Sequence, residues 1–456
     1  MDSGFKIVAV VGAGPAGLFA ARELASHDVR VVLFNRDIKP GGLAEYGIYP
    51  DKYKMREGLR NQFRQVLSLE GVEYFGNVRV GENADLTLDD LRQLGFQAIL
   101  VTTGAQGTHW LNIPGEHLLR AYHAKQLVYH YNKLPPFSKM DIQLGSKVAI
   151  IGAGNVMIDL AHYLIAECNV QEITAIARRG PAEVKFDKKE LELVAANLDY
   201  SDLDLQIEQT APLMRALGQD PEQAREFIHS ALEKASPAPS DAHFRIRFLL
   251  SPVRILDDGA GGVGGLELQV NTLVASGDQI RAIGTDERQM LAVDTVLFAV
   301  GDQVDEEFGL PVSGGEYIRN ESPRYPVDGL SYEVCDPAQH RSLEGIFVAG
   351  WSRKSSTGLV GVARKDGVNG AKAILQYLDG QSVPLDFKLD DLCNRIHSVQ
   401  PYAVSKQDLI RLDVVEQAEA AARGLVEFKF GTNDEMLAAM GILAAVTANP
   451  DRSSKG

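Results

Sequence analysis

Short runs of consecutive apolar residues, each closed by glycines and followed by an apolar stripe at helical spacing, recur along this chain. Ile7 to Val11 reads as a buried strand, Gly12-Ala13-Gly14-Pro15-Ala16-Gly17 as a glycine turn, Leu18 to Ala25 as a helix face and Val29 to Phe34 as a second strand. The order returns further on, with Val148 to Ile151 as strand, Gly152-Ala153-Gly154 as turn, Val156 to Ala166 as helix and Glu172 to Ala177 as the next strand. Each is a βαβ unit, so the pattern predicts an α/β chain built on two Rossmann-like dinucleotide-binding domains. Between them it predicts a helix from Met55 to Leu69, a helix start at Thr87-Leu88-Asp89-Asp90, and a buried strand Ala98 to Val101 that ends in Thr102-Thr103-Gly104. Pro135-Pro136 reads as a linker, and residues 203–240 read as a polar helical insertion on the second domain. Alternating strands from Phe244 to Val274 flank a loop at Asp257 to Gly265. Strands follow at Thr295 to Val300 and Ile346 to Ala349, then a helix from Val362 to Leu378 and an amphipathic, charged tail from Ser405 to Met440. The expected organisation places the second domain, residues 116–334, inside the first, residues 1–115 and 335–456.

The first turn satisfies GxGxxG in the strand, turn, helix context that the chemistry needs. Gly12 supplies the tight turn, Gly14 lets the backbone approach a pyrophosphate, and Gly17 permits close helix packing, with the helix N-terminus facing the phosphates. The acid expected on the ribose about 20 residues on falls at Asn35, whose amide can bond a hydroxyl; Arg36 and Asp37 are the alternatives. The second turn keeps Gly152 and Gly154 but carries Met157 at the third position. At the end of its following strand, Arg178-Arg179 replaces the acid, a pair suited to a 2′-phosphate and therefore to NADP rather than NAD.

Composition narrows the function classes. The 61 acidic and 46 basic residues leave a formal charge of -15, the wrong sign for coating nucleic acid or binding an anionic membrane. The 43 glycines in 456 residues exceed the usual roughly 7%, as backbone contact with phosphates requires. Cys168, Cys335 and Cys393 are too scattered for a CxxC redox pair, an iron-sulfur ligand set or a zinc quartet. The N-terminal run Met1-Asp2-Ser3-Gly4-Phe5-Lys6 lacks the apolar core of a signal peptide, and no stretch approaches membrane-spanning length. A cytoplasmic protein without membrane insertion or nucleic-acid partner is expected.

With these motifs in place the sequence resembles the adrenodoxin reductase family, the FAD- and NADP-dependent ferredoxin reductases. Gly152-Ala153-Gly154-Asn155-Val156 with Asp159 resembles the family's NADP turn, and Arg178-Arg179-Gly180-Pro181 with Lys189-Glu190-Leu191 its arginine motif. Ala349-Gly350-Trp351 with Thr357-Gly358-Leu359-Val360 resembles its FAD segment, and Gly41-Gly42-Leu43, Tyr46-Gly47-Ile48 and Pro50-Asp51 its flavin-side loop. The tail, through Asp413 and Phe428-Lys429, follows too. The resemblance implies FAD on Gly12, Gly14, Pro15, Ala16, Gly17, Asn35, Arg36, Gly42, Leu43, Tyr46, Gly104, Gly350, Trp351, Gly358, Leu359 and Val360. It implies NADP on Gly152, Gly154, Asn155, Val156, Asp159, Arg178, Arg179 and Glu190. Trp351, Glu190 and Lys52 are the candidates at the reacting rings.

The chain departs from the family at Lys52, where a histidine is usual, at Leu193 for a second glutamate, and at His162 for an arginine. The implied activity is electron transfer between NADP(H) and a one-electron carrier such as ferredoxin. The alternatives are a flavin subunit serving a dedicated partner enzyme, direct reduction of quinones or small oxidants, and a non-catalytic FAD scaffold; a homodimer is open. Two basic clusters are expected to meet an acidic carrier: Lys52, Lys54, Arg56, Arg60 and Arg64, and Arg353, Lys354, Arg364 and Lys365.

Overall fold

A computed structural model describes residues 5–277, 279–339, 341–382 and 387–444; Met1 to Gly4 of the N-terminal run lie outside them. The chain divides into two compact units, Met1–His109 with Tyr129–Lys139 and Gly301–Gly456, and Trp110–Val128 with Met140–Val300. Relative to the expected boundaries, residues 301–334 and the segment holding Pro135-Pro136 therefore pack with the first unit.

The first unit is built on a six-stranded sheet. Across its width run Glu333–Asp336, Arg341–Val348, Ala98–Val101, Lys6–Val11, Val29–Phe34 and Val72–Phe75, all parallel except the first, which is antiparallel to its neighbour. Helices cover such a sheet on both faces, which is why its strands read as unbroken apolar runs. Val8 and Val10 pack with Leu18 and Phe19 of the helix Pro15–Ala25 and with Ala371 and Ile374 of the helix Val360–Asp379. Ile7, Ala9 and Val11 pack on the other side with Phe34, Phe75 and Phe308. Each such side chain, fully buried, contributes about 1.5–3 kcal/mol. The Thr87 start holds as a reciprocal cap, in which Asp90 N–H donates to the Thr87 hydroxyl and Thr87 N–H donates to the Asp90 carboxylate. The tail forms helices Lys406–Ala422 and Asn433–Ala439, each opened by the same device at Ser405 and Thr432.

The second unit carries a five-stranded parallel sheet in the order Ala121–His123, Thr295–Phe298, Lys147–Ile151, Glu172–Ile176 and His243–Arg247. Residues expected as a helical insertion form Tyr200–Ala216 and Pro221–Leu232, and their Leu203, Ile207 and Ile228 join the same core as the sheet's Val148 and Ile150. The other face is covered by a three-stranded antiparallel sheet, Leu250–Asp257, Val263–Ser276 and Gln279–Leu291. Its third strand is absent from the sequence reading.

In both units the strand that precedes the glycine turn has its sequence successor on one side and a later strand on the other. This is the switch point at which open α/β sheets bind ligands beyond the carboxyl ends of their strands.

Candidate functional site

Three segments of the first unit leave the carboxyl ends of parallel strands and converge on Gly12 to Gly17. Gly12 has φ +105°, and a Cβ there would stand 2.6 Å from the Thr102 carbonyl oxygen. The Thr102 hydroxyl donates to the Gly12 carbonyl at 2.7 Å, so the neighbouring strand end holds the turn. At Gly14 nothing lies within 4 Å of the missing Cβ, and the helix that begins at Pro15 has no side-chain cap. Open space in front of uncapped N–H groups fits a pyrophosphate.

The loop after the second strand closes one side, with Gly41 N–H donating to the Ala13 carbonyl at 2.7 Å and Gly42 packed on the Gly14 backbone. Gly350 closes the other, against Ala16. Leu43 opens the single helical turn Leu43–Tyr46, and Tyr46 is buried beneath the Lys429 ammonium, 5.2 Å from its ring centre.

The Gly350 to Val360 segment is pinned by residues that sequence reasoning missed. Asp366 accepts Gly350 N–H at 2.7 Å and the Arg353 guanidinium at 2.6 and 3.0 Å. The fully buried Ser352 hydroxyl accepts Gly104 N–H at 2.9 Å. The half-buried Trp351 donates from Nε1 to the Thr357 carbonyl at 3.0 Å, which folds the loop that leads into Gly358, Leu359 and Val360. An acid inside the glycine-rich stretch Ala363 to Gly370 was the available signal for Asp366.

Several expectations are corrected. Asn35 spends its amide on the protein: Oδ1 accepts Ala13 N–H at 3.0 Å, and Nδ2 donates to the Asp37 and Lys39 carbonyls at 2.8 and 3.0 Å. Both donor hydrogens are used, so Asn35 shapes the turn rather than offering a donor to a ribose. Arg36 stays solvent-accessible beside Asp37, whose carboxylate raises the guanidinium pKa. It lines a cavity of about 290 Å³ together with Tyr46, Asn77 and Arg79.

The first basic cluster does not form an open patch either. Arg56 is 1% exposed, donates to the Ile48 carbonyl and pairs with Glu427. Arg60 holds Glu45 through two bonds of 2.5 and 2.6 Å and reaches Glu427 at 2.6 Å, while Arg64 pairs with Glu57 and Asp413. Lys39 joins Glu416 at 2.5 Å, and Lys429 joins Glu45 at 3.0 Å. Burial alone would raise the Glu45 carboxyl, but Lys429, Lys39 and Arg60 outweigh it and hold the group below the ordinary carboxylate range. Burial pushes Lys429 down to about 8 against the pull of Glu45 and Glu427. Lys54 remains exposed and Lys52 is half-buried in the turn Pro50–Lys52. In the second cluster Arg353 is locked on Asp366, whereas Lys354, Arg364 and Lys365 are exposed.

In the second unit Gly152, at φ +138°, would bring a Cβ to 2.3 Å from the Ala299 carbonyl oxygen, and Gly154 again faces open space before an uncapped helix, Asn155–Glu167. Met157 is fully buried among Val148, Ile150 and Leu160, so it fills the helix–sheet seam that glycine would close. Asn155 and Asp187 bond each other twice, at 2.7 and 2.8 Å. Val156 is exposed, Asp159 lies one turn along the same helix, and Glu190 is half-buried in the short helix Lys188–Leu191.

The arginine pair sits at the carboxyl end of Glu172–Ile176. Its backbone is fixed by Asn271 Nδ2, which donates to the Arg178 carbonyl at 3.0 Å, and by Leu249 N–H, which donates to the Arg179 carbonyl at 3.2 Å. Asn271 arrives from the antiparallel sheet, a contact with no local signal in sequence. Neither guanidinium has a carboxylate partner among the described residues.

Comparison with known proteins agrees with this geometry. The profile of pyridine nucleotide-disulphide oxidoreductases matches residues 6–219. The mitochondrial NADPH:adrenodoxin oxidoreductase of Arabidopsis thaliana is 30% identical over 390 residues, covering 77% of this chain and 78% of its own. The chain belongs to the adrenodoxin reductase family. The Salvelinus fontinalis member is 27% identical over 470 residues, 94% of this chain and 90% of its own. Mycobacterium tuberculosis FprA solved in complex with NADPH superposes with a TM-score of 0.78 at 26% identity, covering 96% of this chain and 99% of FprA. Within this adrenodoxin reductase relative the three cysteines are free thiols. Among the described residues no cluster of three or more metal-ligating side chains occurs, and no helix is long and apolar enough to cross a membrane.

Proposed function

We propose that the protein is an FAD-dependent oxidoreductase that takes electrons from NADPH and passes them singly to a small acidic carrier protein such as a ferredoxin. One observation carries the reading. Both units place an uncapped helix N-terminus and an open glycine at the switch point between parallel strands, and only the second adds arginines without a carboxylate partner among the described residues at the following strand end. We therefore assign FAD to the unit of Gly12 and NADP(H) to the unit of Gly152. The FprA relative solved with NADPH supports the second assignment.

FAD, when bound, supplies a two-electron hydride acceptor that can release electrons one at a time. The chain's part is to bind and orient. Gly12 to Gly17 would receive the pyrophosphate, the Gly350 to Val360 segment with Trp351 would hold the ring end, and Arg178 with Arg179 would select the 2′-phosphate. Glu190 and Lys52 remain proposed neighbours of the reacting rings, Glu190 to orient the carboxamide and Lys52 to place a fixed positive charge. The carrier is proposed to dock on the exposed Lys354, Arg364 and Lys365. The free cysteines fit a reducing, cytoplasmic setting.

Anaerobic addition of NADPH to the purified protein should bleach its yellow absorbance within the mixing time, and a panel of ferredoxins, flavodoxins and quinones should then show fastest reoxidation by a ferredoxin. A protein that takes up no FAD, or binds it without bleaching, overturns the catalytic reading. Reoxidation by quinone alone, or by a partner enzyme alone, replaces the acceptor.

A further inference from the structure

After the arginine pair the chain returns to the glycine turn it has just left. The 3-10 turn Pro181–Glu183 reverses it, and the segment Val184 to Asp187 runs beside the turn, with Lys185 N–H donating to the Ala153 carbonyl at 2.9 Å and Lys185 pairing with Gly154 as a parallel bridge. The segment is anchored on either side of Lys185, with Val184 packed partly buried against the core that holds Phe186. Phe186 is buried in the core, and Asp187 bonds Asn155 through side chain and backbone. Lys185 itself is exposed, and its ammonium has neither an ion pair nor a hydrogen bond among the described residues. Its backbone partner Gly154 is the residue in front of which the structure leaves open space. The backbone that carries this cation is thus held one strand spacing, about 4.8 Å, from the backbone that would approach the dinucleotide.

We propose that Lys185 binds the pyrophosphate of the nicotinamide dinucleotide, a role separate from the 2′-phosphate recognition of Arg178 and Arg179. The inference rests on the assignment of NADP(H) to this unit. A pyrophosphate carries two negative charges, and the helix N-terminus offers it only neutral N–H donors and a partial charge. Lysine is suited to complete such a site because it acts as a point charge on a flexible stem, without the fixed fork geometry that the arginines bring to a single phosphate. The two recognition elements then read different parts of one ligand: Lys185 reads the bridge, and the arginines read the group that distinguishes NADP from NAD.

The test is equilibrium binding by calorimetry to the FAD-loaded protein, with NADP⁺ and with adenosine 2′-monophosphate, which keeps the 2′-phosphate and lacks the bridge. Lys185→Gln should weaken NADP⁺ by about five- to tenfold, in the range of a charge-assisted contact at an accessible site, and leave adenosine 2′-monophosphate unchanged. Lys185→Arg should recover most of the loss. Arg178→Ala with Arg179→Ala should weaken both ligands. Unaltered NADP⁺ binding in Lys185→Gln, or an equal loss for the two ligands, overturns the inference while leaving the cofactor assignment standing. Wild-type protein that binds neither ligand overturns the assignment and the inference together.

Discussion

Arg178 and Arg179 leave two guanidinium groups without a carboxylate partner among the described residues, at the strand end where NAD-dependent folds carry an acid. A 2′-phosphate there gains a charge-assisted contact of about 2–3 kcal/mol, or roughly 30- to 150-fold in affinity. Replacing both by Ala should raise the apparent constant for NADPH by that factor and leave NADH nearly unchanged, as steady-state kinetics with a dye acceptor would show. Glu45 poses the opposite problem, an anion buried among Lys39, Arg60 and Lys429. Because its folded pKa lies below the unfolded value, the unfolded chain binds the proton first as pH falls. Its stabilisation is complete above the ordinary carboxylate range and is lost progressively below it. Glu45→Gln, which takes the only ion-pair partner among the described residues from Lys429 and leaves Lys39 and Arg60 to Glu416 and Glu427, should cost about 3–5 kcal/mol at neutral pH and flatten the acid side of the stability profile, measured by denaturant midpoints from pH 7 down to pH 3. An acid limb as steep as in the wild type would mean that other carboxylates set it. The cluster was not readable from sequence, since Glu416, Glu427 and Lys429 come from the distant tail, and the engagement of Asn35 was not, since it is made with backbone groups of Ala13, Asp37 and Lys39 that carry no side-chain signal.

The helices Pro15–Ala25 and Val360–Asp379 are brought together by absent side chains. A Cβ at Gly367 would lie 2.1 Å from the Ala16 carbonyl oxygen, a backbone atom that cannot step aside. Gly367→Ala should therefore force the helices apart, at a cost of about 1–3 kcal/mol, and displace the Gly350 to Val360 segment that precedes the second helix. A lower thermal midpoint together with a reduced ratio of flavin to protein absorbance is the expected result. Gly58 in the helix Tyr53–Leu67 meets nothing within 4 Å, so Gly58→Ala should instead stabilise by about 0.5–1 kcal/mol.

The same contrast explains what was legible at this scale. Strand, glycine turn and helix follow one another locally, so both βαβ units and the strand Ala98–Val101 could be placed from periodicity. The strand Gln279–Leu291 was not, because it is an exposed edge whose Arg281, Asp286, Glu287 and Arg288 give no apolar alternation. Which glycine marks a helix crossing also depends on a partner some 350 positions away.

Over the whole molecule the formal charge of -15 repels an acidic carrier at long range, so productive encounter needs a local surface of the other sign. The buried arginines cannot provide it: Arg56 and Arg60 already face Glu45 and Glu427, and reversing their charge would place acids against acids in the core. Lys354, Arg364 and Lys365 are exposed and free of carboxylate partners among the described residues, and Arg364 lies over the Phe19 ring at 4.3 Å, with Arg22 at 4.8 Å. Leu359 and Val362, 68% and 51% exposed, lie close to them in the chain and would supply the apolar contacts that the proposed docking needs beside its charges.

The triple variant Lys354→Glu, Arg364→Glu, Lys365→Glu should slow reduction of an acidic ferredoxin by about 10- to 100-fold at low ionic strength, the range over which steering acts. The difference from the wild type should shrink as added salt shortens the screening length to about 8 Å near physiological strength. A neutral quinone is the proper control, since an anionic acceptor such as ferricyanide would feel the same reversal. Quinone reduction and bound FAD should both be preserved. If ferredoxin and quinone slow alike, the change has disturbed the flavin site. If neither slows at any salt concentration, the carrier docks elsewhere on the protein.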